Sequence, residues 1–198
     1  MPPEDHVVKK FIRENGFGTL VSQAEGKLWA THIPMMLSAD ETKLSAHISR
    51  GNKSWRSFES SPEVMAIFQG PHAYVSSSWY NHENVPTWNY IAVHVYGTIR
   101  LIEGEELFQS LKNLTDHYEQ SVEKPVAVER MSPGYVESQM KGVAGLEISI
   151  TSMEATYKLS QNRDDVNYQN VIDALEKRDH GSKQVAAEMK NINRKPKS

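Results

Sequence analysis

Ser76-Ser-Ser-Trp-Tyr-Asn-His-Glu-Asn-Val-Pro-Thr-Trp-Asn-Tyr-Ile-Ala-Val-His-Val-Tyr-Gly97 runs from the end of one strand, across a loop, into another. Its second half alternates, with Ile91, Val93 and Val95 facing one way and Ala92, His94 and Tyr96 the other, so a long strand is expected from Tyr90 to Ile102. Gly97 is expected to mark a bulge where that strand bends, as barrel strands do. The stretch carries two of the four tryptophans and three of the eight tyrosines. Loops are generally polar, so rigid aromatics beside a strand end point to a surface that meets something flat or a second subunit; the alternative is a loop capped by its own aromatics.

Upstream, Val7, Val8, Phe11 and Ile12 have helical spacing, and Asn15-Gly16 supplies a stop. Strands are expected at Phe17 to Ser22 and Leu28 to Leu37, joined through Gly26, with Pro34 placing the second at an edge or a bulge. Lys43 to Ser49 alternates with one dry side. Arg50-Gly51-Asn52-Lys53-Ser54 then breaks the strand and opens a short helix from Trp55 to Ser60. Val64 to Phe68 reads as a strand apolar on both faces, interrupted at Gly70-Pro71.

Downstream, Leu107, Phe108, Leu111, Leu114 and Tyr118 mark a helix, and Leu146 to Tyr157 a sixth strand. Asp164-Asp165 opens a helix over Val166 to Lys177, which His180-Gly181 separates from a weak last helix, Ser182 to Asn191. Six strands, mainly antiparallel, with few intervening helices indicate a mainly β fold, a small six-stranded antiparallel barrel with peripheral helices, rather than a doubly wound sheet. The barrel with its inserted helices is expected over 1–160, and a helical extension with a basic tail over 161–198.

The 198 residues fit one domain with an appendage, and the absence of cysteine excludes disulfides, thiol nucleophiles and thiolate metal sites. No run of about 18 apolar residues and no signal peptide is seen, so a non-exported, cytoplasmic protein is expected, without a membrane partner. The net charge of −3 argues against a broadly cationic surface for nucleic acid. The tail is the exception, with Lys177, Arg178, Lys183, Lys190, Arg194, Lys195 and Lys197 against Asp179 and Glu188. It reads as a solvated end, with a nucleic-acid arm as the minority reading.

His32, His47, His72, His82 and His94 fall in the barrel region without a helical pair beside an acid, so no metal site is assigned. No motif for a catalytic nucleophile, a Walker loop or a dinucleotide fold is found, and no catalytic residue is assigned. The Arg50 to Ser54 turn is the better candidate. Cationic side chains and free backbone N–H groups are expected to converge there, as a phosphate requires, while Trp79, Trp88, Tyr80 and Tyr90 offer a place for a flat ring. Flavin mononucleotide (FMN) combines those two needs.

Ala30-Thr-His-Ile-Pro34, the turn following His47-Ile-Ser-Arg50, Gln69-Gly-Pro-His-Ala-Tyr-Val-Ser-Ser-Ser-Trp-Tyr80, Pro86-Thr-Trp-Asn-Tyr90, Val93-His-Val-Tyr-Gly97 and Lys158-Leu-Ser-Gln-Asn-Arg163 together resemble the PaiB-type family. Members of that family are described as negative transcriptional regulators of protease production and sporulation, with the FMN-binding split barrel of pyridoxamine 5′-phosphate oxidase relatives. The resemblance extends from about Phe17 to Met189. It implies a homodimer with the flavin at its interface, phosphate or ribityl contacts from Thr31, His32, Pro34, Arg50, Asn52 and Lys53, and approach to the ring from across the interface by Trp79, Thr87 and Trp88. Two departures stand out: Met1-Pro-Pro replaces the family's tyrosine- and proline-containing start, and Lys53 stands where proline often follows the asparagine. Relatives on the same fold leave two alternatives open, a flavin-dependent oxidoreductase or oxidase acting on a small molecule, and a haem-binding or haem-degrading protein. DNA contact is implied by the family's role but has no helix-turn-helix to carry it.

Overall fold

Six strands, β1 (Phe17–Ala24), β2 (Lys27–Leu37), β3 (Lys43–Ser49), β4 (Glu63–Val75), β5 (Thr87–Ile102) and β6 (Val143–Lys158), close into a barrel in the order β1-β2-β3-β6-β5-β4 in the computed structural model. Residues 4–192 and 194 are described; the Met1-Pro-Pro departure and tail residues Lys195 and Lys197 lie outside them. Pairs β1–β2, β1–β4, β2–β3 and β3–β6 are antiparallel. Among the described residues, five α-helices accompany the strands: α1 (Asp5–Glu14), α2 (Gly104–Glu119), α3 (Pro133–Lys141), α4 (Asp165–Glu176) and α5 (His180–Asn191).

Two compact units are distinguished along the chain, a larger one of Asp5–Phe68 and His94–Glu154 and a smaller one built on Gln69–Val93 and the chain from Ala155 onward. In the larger unit the alternation of β1 to β4 sends Leu20, Ile33, Met35, Leu37, Leu44, Ala46, Ile48, Val64, Ala66 and Phe68 inward. The β1–β2 hairpin turns on Glu25-Gly26, both at positive φ (53° and 73°). Helix α1 buries Val8, Phe11 and Ile12 and ends where the Asn15 backbone N–H and side-chain amide both donate to the Phe11 carbonyl. In the smaller unit, Val171, Ile172 and Leu175 of α4 and Val185, Ala186 and Met189 of α5 are buried.

Several elements depart from their sequence-based expectation. Strand β2 has neighbours on both sides, so Pro34 is not on an edge strand; it pairs with Phe17 at the last β1–β2 position, just before the β2–β3 ladder opens at Met35↔Ala46, where no ladder donor is needed. Val64 to Phe68 is not buried on both faces, since Met65 and Ile67 are only half-buried, and β4 continues through Gly70-Pro71 to Val75. The helix after β3 is a 3₁₀ turn over Lys53–Ser57, and β5 begins at Thr87, which moves Trp88 out of the loop and onto the strand. His180-Gly181 lies inside α5 rather than before it, because Asp179 caps that helix through the Ser182 N–H and hydroxyl.

Candidate functional site

At the end of β3 the chain turns through Arg50 to Ser54. Asn52 organises the turn: its Oδ1 accepts from the Ser54 N–H (3.2 Å) and hydroxyl (2.9 Å), and its Nδ2 donates to Thr31 Oγ1 at 3.0 Å. Thr31 of β2 and Asn52 are thereby joined. The backbone donors are largely spent. Arg50 N–H donates to the Gly142 carbonyl, Gly51 N–H to Ser49 Oγ, Asn52 N–H to the Ser49 carbonyl and Ser54 N–H to Asn52. The expectation of free backbone N–H groups is therefore corrected for these four residues, and anion-binding capacity rests on side chains.

Those side chains are cationic. The Arg50 guanidinium lies 5.3 Å from the Trp55 ring centroid, with Arg56 at 5.5 Å, and Trp55 Nε1 donates to the Arg50 carbonyl at 3.2 Å. Arg50 also reaches the exposed Glu103 carboxylate at 3.4 Å, a loose pair that solvent screens. Lys53 is exposed and has no ion pair among the described residues. His32 and Pro34 belong to the alternate face of β2 from Thr31, so the strand does not bring them to the Thr31–Asn52 link. Nearby on β3, His47 is half-buried, and burial holds its imidazole below its ordinary pKa.

In the smaller unit, the loop that opens with Ser76 caps a 3₁₀ turn, Ser77–Trp79. The Asn81 N–H donates to Asn167 Oδ1 and Asn167 Nδ2 returns a bond to Asn81 Oδ1, each at 2.9 Å, while Asp164 caps α4 through the Asn167 N–H. The Tyr80 ring carries Arg163 at 4.9 Å, and its hydroxyl, like Asn84 Nδ2, is buried without a hydrogen-bond partner among the described residues. Trp79 lies beneath Arg178 at 5.6 Å. Trp88 is half-exposed and meets Tyr74 edge-on at 5.9 Å and His72 at 6.3 Å, whereas Thr87 accepts from Lys158 Nζ at 2.7 Å. Asn89 is fully buried, accepting from Ser160 Oγ and donating to Met189 Sδ.

Asn81, Asn89, Ser160 and Asn167 are not singled out by the sequence pattern, and Arg178 is read there only as a tail cation, since each finds its partner far along the chain; Asn81 and Asn167 are 86 positions apart. Part of the basic tail is neutralised internally: Lys190 pairs with Glu176, and Arg194 pairs with Asp165 at 2.6 Å and covers the Tyr168 ring at 4.3 Å. No cluster of three or more His, Cys, Asp or Glu suited to a metal ion, and no helix long and apolar enough to cross a membrane, occurs among the described residues.

A closed, mainly antiparallel six-stranded barrel with a cationic turn after its third strand defines the protein as a split barrel. Solved structures of like fold include an FAD and heme binding protein from Mycobacterium smegmatis (TM-score 0.62, 15% identity, 78% of this chain and 71% of that one) and the flavocytochrome Anf3 from Azotobacter vinelandii (TM-score 0.62, 16% identity, 84% and 73%). The family described as "Putative FMN-binding domain" matches residues 2–152. "Protease synthase and sporulation protein PAI 2" of Bacillus subtilis (strain 168) is 43% identical over 181 residues, covering 90% of this chain and 87% of that protein. The chain belongs to this PaiB-type FMN-binding family.

Proposed function

We propose that the protein binds flavin mononucleotide as a cytoplasmic homodimer and acts as a negative regulator of protease production and sporulation genes, directly or through other factors. The ligand site belongs to the 1–160 barrel, and 161–198 is an accessory segment. The observation that carries this reading is the turn after β3, where Arg50, Lys53 and the Thr31–Asn52 pair offer two cations, a hydroxyl and an amide within one short stretch. That donor set fits a phosphate: the guanidinium gives a fork, the ammonium a point charge. Arg50 is held by its stack on Trp55, and its pair with Glu103 is weak enough to exchange for a phosphate oxygen.

His32 and Pro34 on the other face of β2, and Trp79, Thr87 and Trp88 from across the dimer interface, complete the proposed set of contacts. A bound flavin supplies electron-transfer chemistry; the chain's own residues hold the phosphate, orient the ring and exclude water from it. Name and identity to the Bacillus subtilis protein support the regulatory part.

Flavin fluorescence titration tests the binding. Saturable quenching is expected for the native chain, weakened about tenfold or more in the Arg50→Ala/Lys53→Ala variant, the size of one lost charge-assisted contact. Absence of saturation, or equal affinity in that variant, overturns the assignment.

A further inference from the structure

The smaller unit holds an open groove of about 570 Å3 lined by Trp79, Asn170, Asp173, Ala174, Lys177 and Arg178. Its floor is one helix face, because 170, 173, 174 and 177 follow the i, i+3, i+4, i+7 spacing along α4 and past its end. Its wall is an indole. Trp79 is only half-buried although it carries a guanidinium at 5.6 Å, and that guanidinium is steadied by the Tyr74 carbonyl at 3.5 Å. An arginine lying over a tryptophan presents a flat cationic surface that stacks on a heteroaromatic ring.

The polar groups around this wall are unlike one another. Lys177 is exposed and makes no ion pair among the described residues. Asp173 accepts from Gln169 at 2.7 Å, which leaves carboxylate lone pairs to accept further N–H groups, and Asn170 offers both a donor and an acceptor. With two cations against one carboxylate, the groove carries a net positive charge, which also offsets the negative carboxyl end of α4. A stacking wall, an edge that reads N–H groups and a separate ammonium correspond to the three parts of a small nucleotide.

We infer that this groove is a binding site for a purine mononucleotide, its base stacked at Trp79 and Arg178, its ring edge against Asn170 and Asp173 and its phosphate at Lys177. It is complete within one chain, does not involve the Arg50 turn and shares only Trp79 with the proposed flavin contacts. For a regulator, it would be the place where a metabolic signal enters.

Calorimetric titration of the full-length protein with AMP and GMP, with inorganic phosphate and FMN as separate titrants, tests this. Saturable binding of at least one of the two nucleotides is expected, weakened about tenfold or more in Lys177→Ala/Arg178→Ala and in Trp79→Leu, and unchanged in Arg50→Ala/Lys53→Ala. FMN affinity is expected to respond in the opposite way between the two double variants. Phosphate binding as tight as the nucleotides', no saturation with either nucleotide, or affinity unaltered in the Lys177/Arg178 variant overturns the site. Loss of FMN rather than of AMP or GMP in that variant overturns the nucleotide and makes the groove a flavin pocket. Lys177 and Arg178 are exposed, and far-ultraviolet circular dichroism of each variant separates lost binding from lost fold.

Discussion

Tyr80 is 8% exposed and its hydroxyl has no hydrogen-bond partner among the described residues, so folding strips that group of water without a return from them. The ring itself is well used, since Arg163 stands over it and phenylalanine would keep that contact. Tyr80→Phe is therefore expected to leave stability within about 0.5 kcal/mol or to raise it. A loss above about 1 kcal/mol in urea denaturation would show that the hydroxyl is bonded after all. His47 argues in terms of pH. Burial depresses its pKa in the folded state, whereas in the unfolded chain it titrates near its ordinary value of about 6.5. The unfolded chain then binds more protons over the window just below that value, and stability is complete above about pH 7 and falls as the pH drops through 6.5. His47→Gln is expected to lose less stability than the native chain between pH 7.5 and pH 5.5. An identical loss in both would assign the acid sensitivity elsewhere.

Among the elements, β5 and β6 approach closely at Gly97, where an added Cβ would meet the Ser149 carbonyl and lie 2.7 Å from Ile148 Cγ2. That explains the glycine by backbone approach: there is no room for a side chain on that face. Gly97→Ala should cost about 1–3 kcal/mol, as overpacking does, read as a lowered urea midpoint at unchanged slope. The loop from Asn81 depends on Asn167 in the same way. Asn167 is 1% exposed and exchanges two hydrogen bonds with Asn81. Asn167→Ala should destabilise by about 1–3 kcal/mol and speed amide exchange at Asn81 and its neighbours, while exchange unchanged in that loop would show that other contacts hold it. These two elements also show what periodicity reveals. The inward residues of β3 and β5 could be read at two-residue spacing, and Lys43–Ser49 has the expected bounds. Local propensity reads Pro34 as an edge or bulge and Gly70-Pro71 and His180-Gly181 as breaks, yet each is accommodated by something distant or by a cap: a ladder that ends, a strand that continues, a side chain at Asp179.

For the whole molecule, the same contrast separates the cationic turn from the Trp79 groove. The cationic turn was legible because its residues are contiguous and Asn52 caps within two positions of itself. The Trp79 groove was not, since the chain returns to that tryptophan only after about 100 residues, through Arg178, and no spacing rule connects them. The aromatics of the 76–97 stretch divide accordingly. Tyr80 is turned inward, Trp79 walls a groove, and Trp88 stays 52% exposed beside Tyr74 at 38%. An exposed tryptophan packed edge-on against an exposed tyrosine is the composition of an interface centre, where aromatic area is desolvated at small entropic cost. The proposed homodimer places these two rings at the contact between copies. Light scattering after gel filtration is expected to give about twice the chain mass for the native protein and the single-chain mass for Trp88→Glu/Tyr74→Glu, with circular dichroism unchanged. A native monomer removes the homodimer from the proposal, and a variant that stays dimeric moves the contact to other exposed apolar residues, such as Leu28 and Trp29 of the β1–β2 hairpin at 82% and 44% exposure.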